Sequence, residues 1–149
     1  MINKTILGTL IIVILMSVYV VFNPSYQKSL QASYYFETGE YEEALTLAKE
    51  AFALDVYNRM SSTIMAQSII SLEYKSYIDD AKRYMLVIDE IATHSIITQK
   101  DRSKIRLMCG IMVDSYIKLS PSVITDKELV QIAGKYYLKF KKLLEKVNR

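Results

Sequence analysis

From Tyr41 to Phe52 the apolar residues Tyr41, Ala44, Leu45, Ala48, Ala51 and Phe52 recur at three- and four-residue spacing, the signature of one helical stripe. Glu40, Glu42 and Glu43 stand in its first turn, where carboxylates favour the positive end of the helix dipole. A preceding run over 25–38 carries Leu30, Tyr34 and Tyr35 and stops at Glu37-Thr38-Gly39, where glycine can take the positive φ that ends a helix. Further along, Asn58 caps a predicted third helix through Leu72, with Ile64, Met65, Ser68, Ile69 and Leu72 on one face. Glu73-Tyr74-Lys75 is expected to turn, and Ser76 with Asp79 has capping-box spacing for a fourth helix through about Thr93. In this second pair Ala66 and Ala81 are the expected close contacts. Thr98 with Asp101 opens a fifth helix to Leu119, whose inward residues are Ile105, Met108, Cys109, Met112, Val113 and Tyr116. Ser120-Pro121-Ser122 ends it, and Thr125 with Glu128 starts a last helix reaching Val147. No alternating run is flanked by hairpin turns, so the expected fold is all-α, about six antiparallel helices in three hairpins.

Ahead of these lies a different pattern. Thr5 to Phe22 is eighteen residues without a charge; at ~1.5 Å per residue it reaches ~27 Å, close to the ~30 Å hydrocarbon core of a bilayer. Tyr19 and Phe22 sit at its far end and Asn23-Pro24 follows, as in an interfacial aromatic anchor and a helix break. A cleaved secretory signal is the competing reading. The run exceeds the ~7–15 residues of a usual signal core and no A-x-A-like site follows it, which favours an uncleaved transmembrane anchor over 1–24. Lys4 and the amino terminus are then expected to stay in the cytoplasm, with the domain over 25–149 outside it. Lys28 on the other flank weakens that asymmetry.

The stretch from Ala32 to Asp55 resembles a tetratricopeptide repeat. Ala32, Tyr35, Gly39, Tyr41, Ala44 and Ala51 stand where that family places its small residues, tyrosine, turn glycine, turn aromatic and two spaced alanines. Ser29 replaces the usual Trp, Gln31 a Leu, Ala48 an aromatic and Val56 the closing Pro, so the likeness covers about one repeat. An ordinary helical hairpin with an alanine-rich seam is the plainer alternative. The resemblance implies stacked hairpins and a protein-binding groove on the first helices, for which Gln31, Tyr34, Tyr35 and Gln67 are the candidate residues.

Charge is unevenly distributed. Glu37 to Glu90 carries a net −6 and Ile91 to Arg149 a net +7, within a chain total of +3. Such a layout suits head-to-tail contacts or oriented docking on a charged partner, or simply two solvated faces of opposite sign. Lys135, Lys139, Lys141, Lys142 and Lys146 make the last helix a candidate basic docking surface for anionic lipid or acidic protein, with Tyr136, Tyr137 and Phe140 interleaved. An amphipathic capping helix with solvated lysines accounts for the same pattern.

Catalytic chemistry is thinly represented. His94 and Cys109 are single, and the four glycines are dispersed, so neither a His/Cys metal site nor a phosphate loop has its residues. The adjacent acids Glu42-Glu43, Asp79-Asp80 and Asp89-Glu90 point in different directions on a helix and make poor acid/base couples. His94, near a helix end, suits the negative dipole, and Cys109 reads as a small buried hydrophobe. The expectation is a non-enzymatic adaptor without cofactor or metal, set in a bacterial inner membrane with its domain in the periplasm. Its expected partners are envelope proteins of a translocation, secretion or motility assembly, and the bilayer through residues 5–22, rather than nucleic acid. A purely structural subunit, or a cytoplasm-facing protein that uses its basic helix on lipid or nucleic acid, are the alternatives.

Overall fold

The computed structural model describes residues 4–148, with the side chains of Lys4, Val20 and Val21 outside the description. The amino terminus and Arg149, on which the charge reading partly rests, lie outside the described residues. The protein is all-α: α1 (Lys4–Phe22), α2 (Pro24–Glu37), α3 (Tyr41–Leu54), α4 (Arg59–Ala92), α5 (Gln99–Lys118) and α6 (Lys127–Val147). Among the described residues there is no strand. The chain divides into two units, one ending at Ile69 and the other starting at Ile70.

In the first unit α1 and α2 are separated by Asn23 alone. Asn23 N–H still donates to Tyr19 O at 3.0 Å, closing α1, while its side chain accepts from Ser25 N–H at 2.9 Å and caps α2. Pro24, which has no N–H to leave unpaired, occupies the first turn of α2. The two helices meet at a bend of 78°. Among the described residues no single helix is long and apolar enough to cross a membrane, although α1 and α2 together have the length and composition of a bent span.

Gly39 ends α2 as expected, at φ +84°, with Glu40 N–H donating to Tyr35 O (2.9 Å) and Gly39 N–H to Phe36 O (3.1 Å). That paired arrangement is a Schellman motif, and it requires the left-handed conformation that glycine adopts cheaply. A Cβ at this position would meet nothing within 4 Å, so Gly39→Ala is strained in its backbone rather than by a clash. It is expected to lower the denaturant midpoint by the equivalent of about 1–2 kcal/mol, with Gly39→Asn losing less. Equal midpoints for wild type and Gly39→Ala would contradict this.

The returning helix α3 lies antiparallel on α2. Ala32, Ala44 and Ala48 are fully buried and form a core with Ile64 of α4, bordered by Tyr35, Phe36, Leu47 and Met65. Toward its amino-terminal end the same buried face of α2 is polar. Ser25 Oγ donates to Ala51 O at 2.8 Å, and Asn58 Nδ2 donates to Ser25 Oγ (2.8 Å) and Ser29 Oγ (2.9 Å). Asn58 Oδ1 accepts from the N–H groups of Met60 and Ser61, the start of α4. One buried amide therefore ties α2 to α4 and, through Ser25, to the end of α3. The exposed Lys28–Glu50 pair, at 2.6 Å, adds little beside it.

The third and fourth predicted helices are one helix, the 34-residue α4. The expected turn at Glu73-Tyr74-Lys75 does not form, and Ser76 with Asp79 is not a cap. Five helices thus follow α1 rather than six, and the middle hairpin of the expected three is absent. The cause is continuity of the buried stripe, which runs Ser61, Ile64, Ser68, Ser71, Tyr74, Ile78, Ala81 and on to Ile88 and Ile91 at helical spacing. Neither Gly nor Pro interrupts it. Ala81 is buried as expected, whereas Ala66 is exposed.

In the second unit α5 and α6 form an antiparallel hairpin, with Arg106 Nε donating to Asn148 Oδ1 at 2.7 Å at one end. Thr98 and Asp101 make the expected capping box of α5. Asp126, not Thr125, caps α6, its carboxylate accepting from Glu128 N–H at 2.8 Å. Thr125 is buried and closes the preceding turn instead, its Oγ1 accepting from Ser122 N–H at 2.8 Å. The core gathers Tyr74, Tyr77, Ile78 and Ala81 of α4, Met108, Cys109 and Met112 of α5, and Ala133 and Phe140 of α6.

Candidate functional site

The four candidate groove residues do not lie in one row: Gln31, Tyr34 and Tyr35 are on α2 and Gln67 is on α4. On α2, four-residue spacing divides the side chains outside the buried face into two rows, Gln27-Gln31-Tyr35 and Tyr26-Leu30-Tyr34, of which Tyr26 and Tyr35 are half-buried and the rest exposed. Tyr35 turns toward the alanine core and is half-buried, while Gln31 and Tyr34 remain exposed; the two tyrosine rings meet edge to face at 5.7 Å. Gln67 is half-buried on α4. Of the four, Tyr35 lines a shallow recess of about 370 Å³, and its other walls come from α3: Glu42, Glu43, Thr46 and Leu47. Tyr35 and Leu47 give it an apolar floor, and the two carboxylates make its rim acidic.

The second row joins Tyr34, one of the groove candidates, to Leu30 and to Tyr26, which the sequence did not single out. Leu30 and Tyr34 are exposed, and Tyr26 packs edge to face on Tyr19 of α1 at 6.3 Å. Ile12, Leu15, Met16, Tyr19 and Tyr26 line an apolar cleft of about 520 Å³ between α1 and α2. The signal for it lay in Ser25, Ser29 and Ala32: small residues packing tightly on one side leave the large ones on the other.

In the second unit all five candidate lysines of α6 are exposed. Lys135, Lys139, Lys142 and Lys146 form one row by spacing, and Lys141 stands apart. The interleaved aromatics are buried or half-buried. Phe140 is fully buried, Tyr137 stacks on Tyr116 at 4.4 Å, and Lys139 Nζ lies 5.7 Å above the half-buried Tyr136 ring. Gly134 lies against this stack, where a Cβ would stand in ordinary contact, 3.4 Å from the Tyr116 hydroxyl.

Titratable groups are engaged structurally. Asp101 accepts from Thr98 Oγ1 at 2.7 Å and Thr98 N–H at 3.0 Å; these bonds, and secondarily His94 at 3.6 Å, hold its carboxyl below the usual range. Burial pushes the Cys109 thiol up to about 11, so it stays protonated and unreactive near neutral pH. Burial likewise raises the Tyr77 hydroxyl, with Tyr116 and Tyr137 adding to the shift. Asp79 and Asp80 face Lys82 and Arg83 at the surface. Among the described residues no group of three or more His, Cys, Asp or Glu side chains is placed to hold a metal ion. No family model matches the chain, and neither a curated protein nor a solved structure matches it.

Proposed function

We propose that the protein is a membrane-anchored helical adaptor, held in a bilayer by α1 and binding another protein through the recess of the α2–α3 hairpin. The observation that carries this is α1 itself. From Ile6 to Tyr19 its large apolar side chains are all exposed, a row that water does not tolerate and hydrocarbon does. At ~1.5 Å per residue its 19 residues reach ~28 Å, a small mismatch that a bilayer absorbs by local thinning. The likeness of Ala32 to Asp55 to a tetratricopeptide repeat supports a binding role for the hairpin. The acidic rim over an apolar floor suits a partner segment carrying Lys or Arg beside an apolar residue. Anchoring concentrates such a partner at the membrane without adding a contact. We place the protein in a bacterial inner membrane with its helical domain on the outer side, as a scaffold of an envelope assembly.

The test joins fractionation with capture. The full chain is expected to stay with membranes through alkaline extraction, and a reporter fused after Arg149 to be active outside the cytoplasm. A photoreactive residue at Tyr35 should crosslink one dominant membrane-associated protein, and Glu42→Gln with Glu43→Gln should weaken that crosslink most at low salt. Recovery of the chain in the soluble fraction would defeat the anchor, and a Tyr35 crosslinking pattern without a specific product would defeat the recess.

A further inference from the structure

Resting on the reading of α1 as the anchor, we infer that α2 lies flat on the same bilayer, with Tyr26, Leu30 and Tyr34 seated in its interfacial layer. The bend supplies the orientation. If α1 stands along the membrane normal, a 78° turn leaves α2 about 12° from the membrane plane, within the ordinary tilt of a spanning helix. The cleft lined by Ile12, Leu15, Met16, Tyr19 and Tyr26 occupies the inner angle of this elbow, and that angle opens toward the hydrocarbon. Tyr26 therefore belongs to the bilayer side of α2, and Leu30 and Tyr34 continue its row by four-residue steps.

The opposite side of α2 is already occupied. Ser25, Ser29 and Ala32 are buried against the rest of the unit, so Leu30, half-exposed, and Tyr34, at 65 %, are left without a protein neighbour that would cover them. Tyrosine suits the boundary, because its ring enters the apolar layer while its hydroxyl stays among headgroups. Gln27 and Gln31 flank the row on one side, a polar margin at headgroup level. Lys28, Gln27 and Gln31 also argue that α2 rests on the membrane and does not enter it as the second arm of a bent span. The cleft at the elbow is then filled by lipid acyl chains rather than by protein.

The chain contains no Trp, so single-Trp variants of the full protein report depth directly. Ile11→Trp, Leu30→Trp, Tyr34→Trp and Thr46→Trp, all at exposed positions, are placed in phosphatidylcholine/phosphatidylglycerol vesicles containing lipids brominated near the headgroup or near the chain end. Expected are strong quenching of Ile11→Trp by the deep bromines, and blue-shifted emission of Leu30→Trp and Tyr34→Trp quenched by the shallow ones. Thr46→Trp, exposed on α3 in the wall of the recess and outside the row of Tyr26, Leu30 and Tyr34, should emit as in water. If Leu30→Trp and Tyr34→Trp match Thr46→Trp while Ile11→Trp is quenched, the seating of α2 is wrong and the anchor stands. An unquenched Ile11→Trp overturns both.

Discussion

Phe140→Ala is expected to destabilise the second unit by about 3–5 kcal/mol, the usual range for removing a fully enclosed aromatic ring. Phe140 is completely buried, on the inward face of a helix whose outward face is lysine. Its neighbours are the long side chains of α4 and α5, among them Tyr77, Met108 and Met112, within a core already closed by helix contacts and unable to collapse fully onto the space left behind. A unit of this size has a total stability on the order of 4–12 kcal/mol, so the loss is a large share of it. The effect should appear as faster amide exchange throughout α5 and α6 in the full chain. Phe140→Leu, which keeps most of the volume, is expected to cost less than about 1.5 kcal/mol. Leu143→Ala, at a half-buried position of the same helix, should fall between them. If Phe140→Ala costs no more than Leu143→Ala, the core does not depend on that ring.

Elements with a local stop or start signal were legible from sequence. Gly39 could end α2 because only glycine takes φ +84° without strain, and Thr98 with Asp101 could open α5 because the two groups satisfy each other's backbone N–H. The same logic misleads at Ser76 and Asp79, whose three-residue spacing fits a helix interior as well as a cap. Capping chemistry is informative where a breaker accompanies it, and Glu73-Tyr74-Lys75 contains residues that a helix accepts. The four candidate groove residues are spread over different faces for a geometric reason. Tyr34 and Tyr35 are adjacent in sequence and therefore about 100° apart around the helix axis, so one faces the alanine core and the other faces away. The basic helix was legible in its lysines but not in its aromatics, since interleaving in sequence does not place Tyr137 beside a lysine when it stacks on Tyr116. Buried serines were the least visible part. Serine is mostly a surface residue, and Asn58 together with the Ala51 carbonyl supplies the partners that make Ser25 and Ser29 favourable inside.

Asn58→Ala is expected to cost the first unit about 3 kcal/mol, combining a lost helix cap at about 1 kcal/mol with two buried hydroxyls deprived of their donor. The orientation of this amide is fixed by its neighbours. The N–H groups of Met60 and Ser61 can only donate, so the oxygen faces them and the nitrogen faces Ser25 and Ser29. Asn58→Ser separates the two contributions: a serine side chain caps the helix equally well but is too short to reach across to α2. It should recover about 1 kcal/mol of the loss and leave the rest. Full recovery would mean that the cross-helix bonds contribute nothing. The consequence extends to the elbow, because Ser25 sits two residues after Asn23 and is itself hydrogen-bonded to Asn23 Oδ1 through its N–H. Freed from Asn58, the first turn of α2 keeps the Ser25–Ala51 bond and the exposed Lys28–Glu50 pair among its polar links to the hairpin. Amide exchange should therefore rise first in α2, at the end of α3 and in the first turn of α4, before the rest of α4 is affected. If α1 is the anchor proposed above, the Asn58→Ala protein should still bind vesicles while the hairpin loses its fixed attitude to α1. A uniform rise of exchange across the whole unit would instead make Asn58 a general stabiliser with no special hold on the joint to α1.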